Sequence, residues 1–207
     1  MKSQKVEQQK RLIQQNNINI ECYYYNYFKS PGLNSYPQLS WVNDDYNLIK
    51  QPTISEEECL RLATNLFIVG QKYNLFNGVD YFIMMPKKPT SVSSLEVIIN
   101  QLVKMISDKL NIKIEFLDNI FYIENYRKFW QNKLKVSERQ AEIANKIHLL
   151  VKYENYFTNK WIIIIDDVVS SGTSIAQVIT TLWDNNHNFN VKALCYGSVY
   201  NWQEIYE

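Results

Sequence analysis

The chain has 207 residues, with 22 Lys and Arg against 21 Asp and Glu, and a formal net charge of +1. This length predicts one domain with a buried core, and the near-zero charge argues against a global field that would attract nucleic acid or an anionic membrane. Three cysteines without metal-type spacing, the lack of an apolar stretch of membrane-spanning length and a polar N-terminus favour a reducing, cytoplasmic location.

The N-terminal part predicts little regular structure. Residues 1–20 are rich in Gln and Lys with few apolar side chains, which is typical of a frayed helix or a mobile arm. The next segment is dense in aromatic residues and is broken by prolines, which predicts small irregular strands packed on the main body. The aromatic residues are Tyr23, Tyr24, Tyr25, Tyr27, Phe28, Tyr36, Trp41 and Tyr46.

Three later segments predict helices that begin with a capping box, in which a serine precedes a Glu or Gln by three residues. The pairs are Ser55 with Glu58, Ser93 with Glu96, and Ser137 with Gln140. Helical periodicity of apolar residues follows the first two boxes, and the predicted helices cover residues 55–70, 93–110 and 137–150.

Strands are predicted between these helices, at residues 79–85, 112–116, 162–166 and 191–199. Strands that alternate with helices are typical of an open, mainly parallel sheet flanked by helices, so we expect an α/β fold. In such sheets the ligand crevice lies at the carboxyl ends of the strands.

Two loops carry side chains that could hold an anion. The loop after the first predicted strand offers Lys87, Lys88, Thr90 and Ser91. The segment before the third predicted strand becomes basic, with Lys133, Lys135 and Arg139. A solvated surface loop accounts for these residues as well as a ligand site does.

The most informative stretch is IIIIDDVVSSGTS, residues 162–174. Its four isoleucines are apolar on both faces of the chain, which predicts a strand buried between helices. We expect this strand to stop at Asp166 and Asp167, before a turn of small residues and a helix with apolar positions between 175 and 183.

The residue types of this turn favour a ribose 5-phosphate. Free N–H groups and the helix dipole attract an anion at a helix N-terminus, and Gly172 would let the backbone approach a phosphate that a Cβ would crowd. Two carboxylates would instead suit sugar hydroxyls or a hydrated Mg²⁺. The alternative is a buried strand followed by a helix with ordinary Ser and Thr caps.

Residues 162–174 resemble the phosphoribosyl-pyrophosphate (PRPP) binding motif of the type I phosphoribosyltransferases. That motif consists of apolar residues, two acidic residues, a short apolar or small step, paired Thr or Ser, Gly, any residue, and Thr or Ser. The resemblance implies that Asp166 and Asp167 contact the ribose hydroxyls and hold Mg²⁺ through water. It implies that the substrate is further held by Val168, Val169, Ser170, Ser171, Gly172, Thr173 and Ser174.

The resemblance also implies roles for the other segments. After a polar arm (1–20), residues 21–75 would form a hood and scaffold helix, and residues 76–207 the phosphoribosyltransferase-like core. Lys87, Lys88, Thr90 and Ser91 would bind pyrophosphate, although this loop lacks the glycine that the family commonly has. Lys133, Lys135 and Arg139 would contact pyrophosphate from a mobile loop, and Lys133 and Arg139 join Asp166 and Asp167 as catalytic candidates. The spacing of Lys133, Arg139 and Asn145 resembles the competence protein F subgroup.

Three functions remain open at this point. The first is phosphoribosyl transfer from PRPP to a nitrogen nucleophile with Mg²⁺ as cofactor. The second is binding of PRPP or a nucleotide without catalysis, as a sensor or partner protein. The third is a fold retained for assembly with nucleic-acid machinery, such as that of DNA uptake. We expect PRPP or a nucleotide as partner, leave a homodimer or protein partner open, and expect neither membrane binding nor direct nucleic-acid binding without a partner.

Overall fold

A computed structural model describes residues 9–15, 17–29, 42–87, 91–126, 134–186 and 188–199. The strands are β1 (Lys10–Gln15), β2 (Ile18–Phe28), β3 (Tyr81–Met84), β4 (Glu115–Leu117), β5 (Phe121–Ile123), β6 (Ile147–Leu149), β7 (Trp161–Val169) and β8 (Asn190–Val199). The helices are α1 (Asn43–Ile49), α2 (Glu56–Lys72), α3 (Leu95–Leu110), α4 (Val136–Ile143) and α5 (Thr173–Asn185), with one 3₁₀ turn at Val151–Tyr153. Within these ranges no helix is long and apolar enough to cross a membrane.

The central sheet has six strands in the order β1-β2-β8-β7-β3-β4. The five strands from β2 to β4 in this order are parallel to their neighbours, and β1 pairs antiparallel with β2 at one edge. Strands β5 and β6 form a separate antiparallel pair. The predicted α/β class with a mainly parallel sheet is confirmed.

Strand β7 lies in the middle of the sheet and is buried on both faces. Ile162 and Ile164 pack with α5 on one face, whereas Ile163 and Ile165 pack with α2 and α3 on the other face. All four side chains are 1% exposed or less. The alternation of a strand therefore explains why four successive apolar residues are needed here.

The connections of β3 and β7 define a crevice between these two neighbours. Helix α3 connects β3 to β4 on one side, and helix α5 connects β7 to β8 on the other side. Adjacent parallel strands whose connections run in opposite directions form a topological switch point, and ligands bind there at the carboxyl ends. The loops that follow β3 and β7 face this crevice.

The N-terminal prediction was wrong where the structure describes it. Residues 10–15 form a strand and not a frayed helix or mobile arm, and residues 18–28 form one long strand of the central sheet and not small irregular strands. Ile13, Ile18 and Ile20 are buried in the core on the α5 face. The Gln and Lys residues around them hid this alternation. Residues 1–8 and 30–41, with Tyr36, lie outside the described ranges, as does Trp41.

Only the first of the three predicted capping boxes is confirmed. At α2, Ser55 Oγ accepts from the Glu58 N–H at 3.2 Å, and the Glu58 carboxylate accepts from the Ser55 N–H at 2.9 Å. Helix α3 begins after Ser94, whose side chain makes no cap.

The third predicted helix was too long and started at the wrong cap. In α4 the Glu138 carboxylate accepts from the Lys135 N–H at 2.6 Å, so the cap lies two residues before Ser137. The helix ends at Ile143 because Asn145 has a left-handed φ of 56°, and residues 147–149 form β6.

Candidate functional site

The acidic pair lies within the last part of β7, and the strand does not stop there as predicted. Pairing with β8 continues through Asp166 to Val169. Because side chains of a strand alternate, Asp166 shares the face of Ile164, and Asp167 shares the opposite face with Ile165. The two carboxylates therefore reach into the crevice from different layers of the fold, which gives them different neighbours.

The turn after β7 encloses a small cavity at the N-terminus of α5. Its volume is about 40 Å³, and it is lined by Asp166 and by residues 168–175. About 10–15 Å³ of such space accommodates one water, so the cavity has room for a few groups of that size, such as phosphate oxygens. The Ser171 and Thr173 hydroxyls lie 2.8 Å apart at its wall. Helix α5 has 13 residues, and its positive end points at this space.

Strand β1 and helix α4 hold this turn from outside. The Gln15 side chain donates to the Ser171 carbonyl, and Gln140 Nε2 donates to Gln15 Oε1 at 3.3 Å. Arg139 Nη1 donates to Ser170 Oγ at 3.5 Å. The segment that was predicted as a mobile arm thus positions the turn at residues 170–172, the candidate phosphate loop.

Gly172 is required by the protein's own packing. It has a φ of +76°, and a Cβ on it would lie 2.7 Å from Ile13 Cγ2 on β1. A side chain there would be strained and would also collide with a buried neighbour. The crowding of a phosphate by a Cβ stays a prediction, and the structure adds a collision with Ile13.

Each carboxylate of the pair accepts a local backbone hydrogen bond. Asp166 Oδ1 accepts from the Asp167 N–H at 2.8 Å, and Asp167 Oδ1 accepts from the Val168 N–H at 2.6 Å. Burial raises the pKa of Asp166 well above its usual value, and the charge of Asp167 raises it further. Asp166 therefore takes up a proton more readily than an ordinary aspartate does.

Lys50 forms an ion pair with Asp167 Oδ2, and sequence reasoning missed it. Burial acts to lower the pKa of Lys50, but the charge of Asp167, its hydrogen bond to Lys50 and further negative groups nearby together outweigh burial, so the pKa of Lys50 is raised. Lys50 follows α1 and is 117 positions away from Asp167 in sequence. No motif in the sequence signals this pair, because only the tertiary fold brings α1 to β7.

The predicted pyrophosphate residues are only partly brought to the crevice. Lys87 Nζ donates to the Ser93 carbonyl at 3.3 Å and lies 3.9 Å from Glu96, and burial lowers its pKa. Ser91 is exposed at the surface. Lys135 lies at the start of α4, where its exposed side chain leaves it available to solvent. Lys88, Thr90 and Lys133 lie outside the described residues.

The acidic pair fits a Mg²⁺ that a ligand helps to hold. Within the described residues no group of three or more His, Cys, Asp or Glu could bind a metal on its own. Mg²⁺ keeps several waters and is commonly bound by one or two carboxylates together with substrate phosphates. Asp166 and Asp167 supply that number of carboxylates, with Lys50 already on one of them.

Comparisons with known proteins give distant structural likenesses. No protein-family model matches the chain, and no curated protein matches it. A hypoxanthine phosphoribosyltransferase from Staphylococcus aureus is 16% identical, with a TM-score of 0.39 over 73% of this chain and 70% of that chain. The hypoxanthine-guanine phosphoribosyl transferase of L. donovani is 12% identical, with a TM-score of 0.41 over 72% of this chain and 73% of that chain.

A third similar structure is a hypothetical protein from Neisseria gonorrhoeae with bound ppGpp. It is 12% identical, with a TM-score of 0.37 over 69% of this chain and 68% of that chain. At these identities and TM-scores the three likenesses carry no argument about function, which has to come from the residues of the site.

Proposed function

We propose that this protein binds PRPP or a ribose 5-phosphate nucleotide at residues 166–174 and transfers the phosphoribosyl group to a nitrogen nucleophile. One observation carries the proposal. Asp166 of the acidic pair, the hydroxyl-lined turn and the positive end of α5 surround one cavity at the carboxyl edge of the sheet, beside the β3/β7 switch point. Donors that suit a phosphate and a carboxyl group that suits a diol are therefore neighbours there, which supports a ribose 5-phosphate as ligand.

Different residues of the site would contact different parts of the ligand. Backbone N–H groups at the start of α5 and the hydroxyls of Ser171 and Thr173 would donate to the 5-phosphate. The Asp166 carboxylate would accept from the ribose hydroxyls, because Asp166 lines the same cavity. Lys87, Lys88, Thr90 and Ser91 remain the candidates for the pyrophosphate, and Lys133, Lys135 and Arg139 for closing over it.

In this proposal the protein supplies orientation and charge, without a covalent nucleophile of its own. Holding the anomeric carbon against the acceptor nitrogen lowers the entropic part of the barrier. The cationic side chains stabilise charge that develops on the leaving pyrophosphate. Mg²⁺, when bound, would neutralise part of the charge on the pyrophosphate. Exclusion of water matters because water competes with the acceptor at the anomeric carbon.

Binding without transfer is the second candidate function, and two contacts favour it. The Lys50 ammonium already pairs with Asp167, and the Lys87 ammonium already bonds to Ser93 beside Glu96. In this arrangement both ammonium groups are engaged by the protein's own oxygens, and Lys87 would have to release its contacts to stabilise a leaving pyrophosphate. The competence protein F-like subgroup and assembly with nucleic-acid machinery stay predictions from the sequence.

The test is calorimetric titration of PRPP with Mg²⁺, compared with ribose 5-phosphate and AMP. We expect PRPP binding that weakens at least tenfold in Asp166→Asn, and no change in Asp184→Asn, an exposed carboxylate near the other end of α5. Release of pyrophosphate on addition of nucleobases separates transfer from binding alone. If the folded wild type binds none of the three ligands, or if both variants bind equally, the site assignment is wrong.

A further inference from the structure

The Lys50–Asp167 pair closes the crevice from the side of α1. The Lys50 side chain is 43% exposed, whereas the Asp167 side chain is only 14% exposed. A cation that approaches Asp167 from solvent therefore meets the ammonium group of Lys50 first. Since one oxygen of Asp167 bonds to the Val168 N–H and the other pairs with Lys50, both oxygens of this carboxylate are engaged.

The backbone on both sides of Lys50 is fixed by one buried serine. The Ser94 N–H donates to the Ile49 carbonyl at 2.8 Å, and Ser94 Oγ donates to the Gln51 carbonyl at 2.7 Å. Ser94 is 1% exposed and directly precedes α3. Ser94, which directly follows the predicted capping residue Ser93, therefore ties the backbone around Lys50 to the loop after β3.

Helix α1, which ends just before Lys50, is anchored at a second point. Asp45 accepts from the Tyr196 hydroxyl at 2.7 Å and forms an ion pair with Arg61 at 2.7 Å. The Lys50 ammonium also lies 5.2 Å from the centroid of the Tyr46 ring. The backbone that carries Lys50 is thus held by α2, β8 and the loop before α3, and its ammonium contacts both Asp167 and the Tyr46 ring.

We propose that Lys50 is the resident cation of this acidic pair and keeps divalent metal off Asp167 until a phosphate-bearing ligand arrives. A dication next to a fixed ammonium is repelled, and it must displace a charged hydrogen-bond donor. An anionic ligand removes this barrier to the metal, because its phosphate oxygens can accept hydrogen bonds from the Lys50 ammonium once that group has left Asp167. The metal then enters together with the ligand, and Lys50 acts as a positioning residue. The inference rests on the proposed function for the nature of that ligand.

The test uses metal alone on the ligand-free protein, so that it does not depend on PRPP binding. Binding of Mn²⁺, as a paramagnetic substitute for Mg²⁺, is followed by electron paramagnetic resonance. We expect Lys50→Met to bind Mn²⁺ about tenfold tighter than wild type, which corresponds to about 1.4 kcal/mol. Asp167→Asn in the Lys50→Met background should remove this gain, and Lys50→Arg should keep the weak binding of wild type.

Lys160 provides the matched control. It pairs with Asp80 at 3.1 Å, and its side chain is 39% exposed. Asp80 and Lys160 directly precede β3 and β7, so this pair lies at the opposite end of these two strands from the crevice. Lys160→Met should leave Mn²⁺ binding unchanged. Equal Mn²⁺ affinity in Lys50→Met and wild type would overturn the inference, and so would an equal gain in Lys160→Met. If Lys50→Met does not fold, Lys50→Gln removes the charge and keeps a donor. Failure of PRPP binding is scored separately, by calorimetry.

Discussion

Substitution of Gly172 tests how the candidate phosphate loop is held. Gly172→Ala forces a residue with a side chain to adopt a φ of +76°, which costs roughly 1–2 kcal/mol in the left-handed region. The new Cβ would also lie 2.7 Å from Ile13 Cγ2 and 2.8 Å from Ile13 Cγ1. Ile13 is 1% exposed and has little room to move, so overpacking adds about 1–3 kcal/mol.

Gly78 is the matched control for this substitution. Its φ is +74°, and a Cβ built on it meets nothing within 4 Å. Gly78→Ala should therefore cost only the backbone strain of roughly 1–2 kcal/mol. The difference between the two variants isolates the contact with Ile13.

The assay is equilibrium unfolding in urea, with the free energy of unfolding measured for each variant. Gly172→Ala should be destabilised by about 1–3 kcal/mol more than Gly78→Ala. Ile13→Ala removes the atoms that the Cβ would meet. The double variant should therefore be destabilised by less than the sum of the destabilisations of the two single variants. Equal destabilisation of the two glycine variants, or simple additivity with Ile13→Ala, would show that β1 does not hold this loop.

Three further predictions concern the candidate site, the loss of stability at acid pH and the hydrogen bond that anchors α1. Asp166→Asn with Asp167→Asn should abolish calorimetric binding of PRPP while circular dichroism shows an intact fold; normal binding would reject the site. The hydrogen bond from Lys10 lowers the pKa of Glu21 from 4.5 to about 2. Its stabilisation is therefore present above pH 4.5 and lost as the pH falls to about 2, and Glu21→Gln should flatten the urea stability profile across that window; an unchanged slope contradicts this. Tyr196→Phe should cost roughly 1–3 kcal/mol in urea unfolding, because it leaves a carboxylate on α1 without its buried donor; a loss below 0.5 kcal/mol would contradict that anchor.

Local patterns of the sequence determined the class of the fold and the place of the candidate site. Four buried isoleucines in a row require a strand covered on both faces, and the alternation with amphipathic helices requires a mainly parallel sheet. Ser55 and Glu58 set the start of α2, since a capping box depends only on residues within one turn. The chain order of strand, turn and helix also places the turn at residues 170–172 at the carboxyl end of β7.

The sequence predicted less well those strands that are recognisable only together with their pairing partner. The hairpin of β1 and β2 was missed because β1 has a single buried residue, Ile13, among polar neighbours, and because the elements that bury the hairpin, such as α5 and β8, lie far away in sequence. Residues 147–149 were predicted as helix, yet they pair with β5, which lies more than twenty residues earlier. A strand of three residues carries too little periodicity to identify without its partner.

The tertiary structure alone decided what surrounds the site. It placed Ile13 against Gly172, so that a residue expected to serve a ligand also serves the packing of β1. It separated the two adjacent aspartates onto opposite faces and gave Asp167 a partner, Lys50, from α1. A sequence specifies local geometry through neighbours a few residues apart, whereas charges and contacts more than a hundred residues apart meet only after the chain has folded.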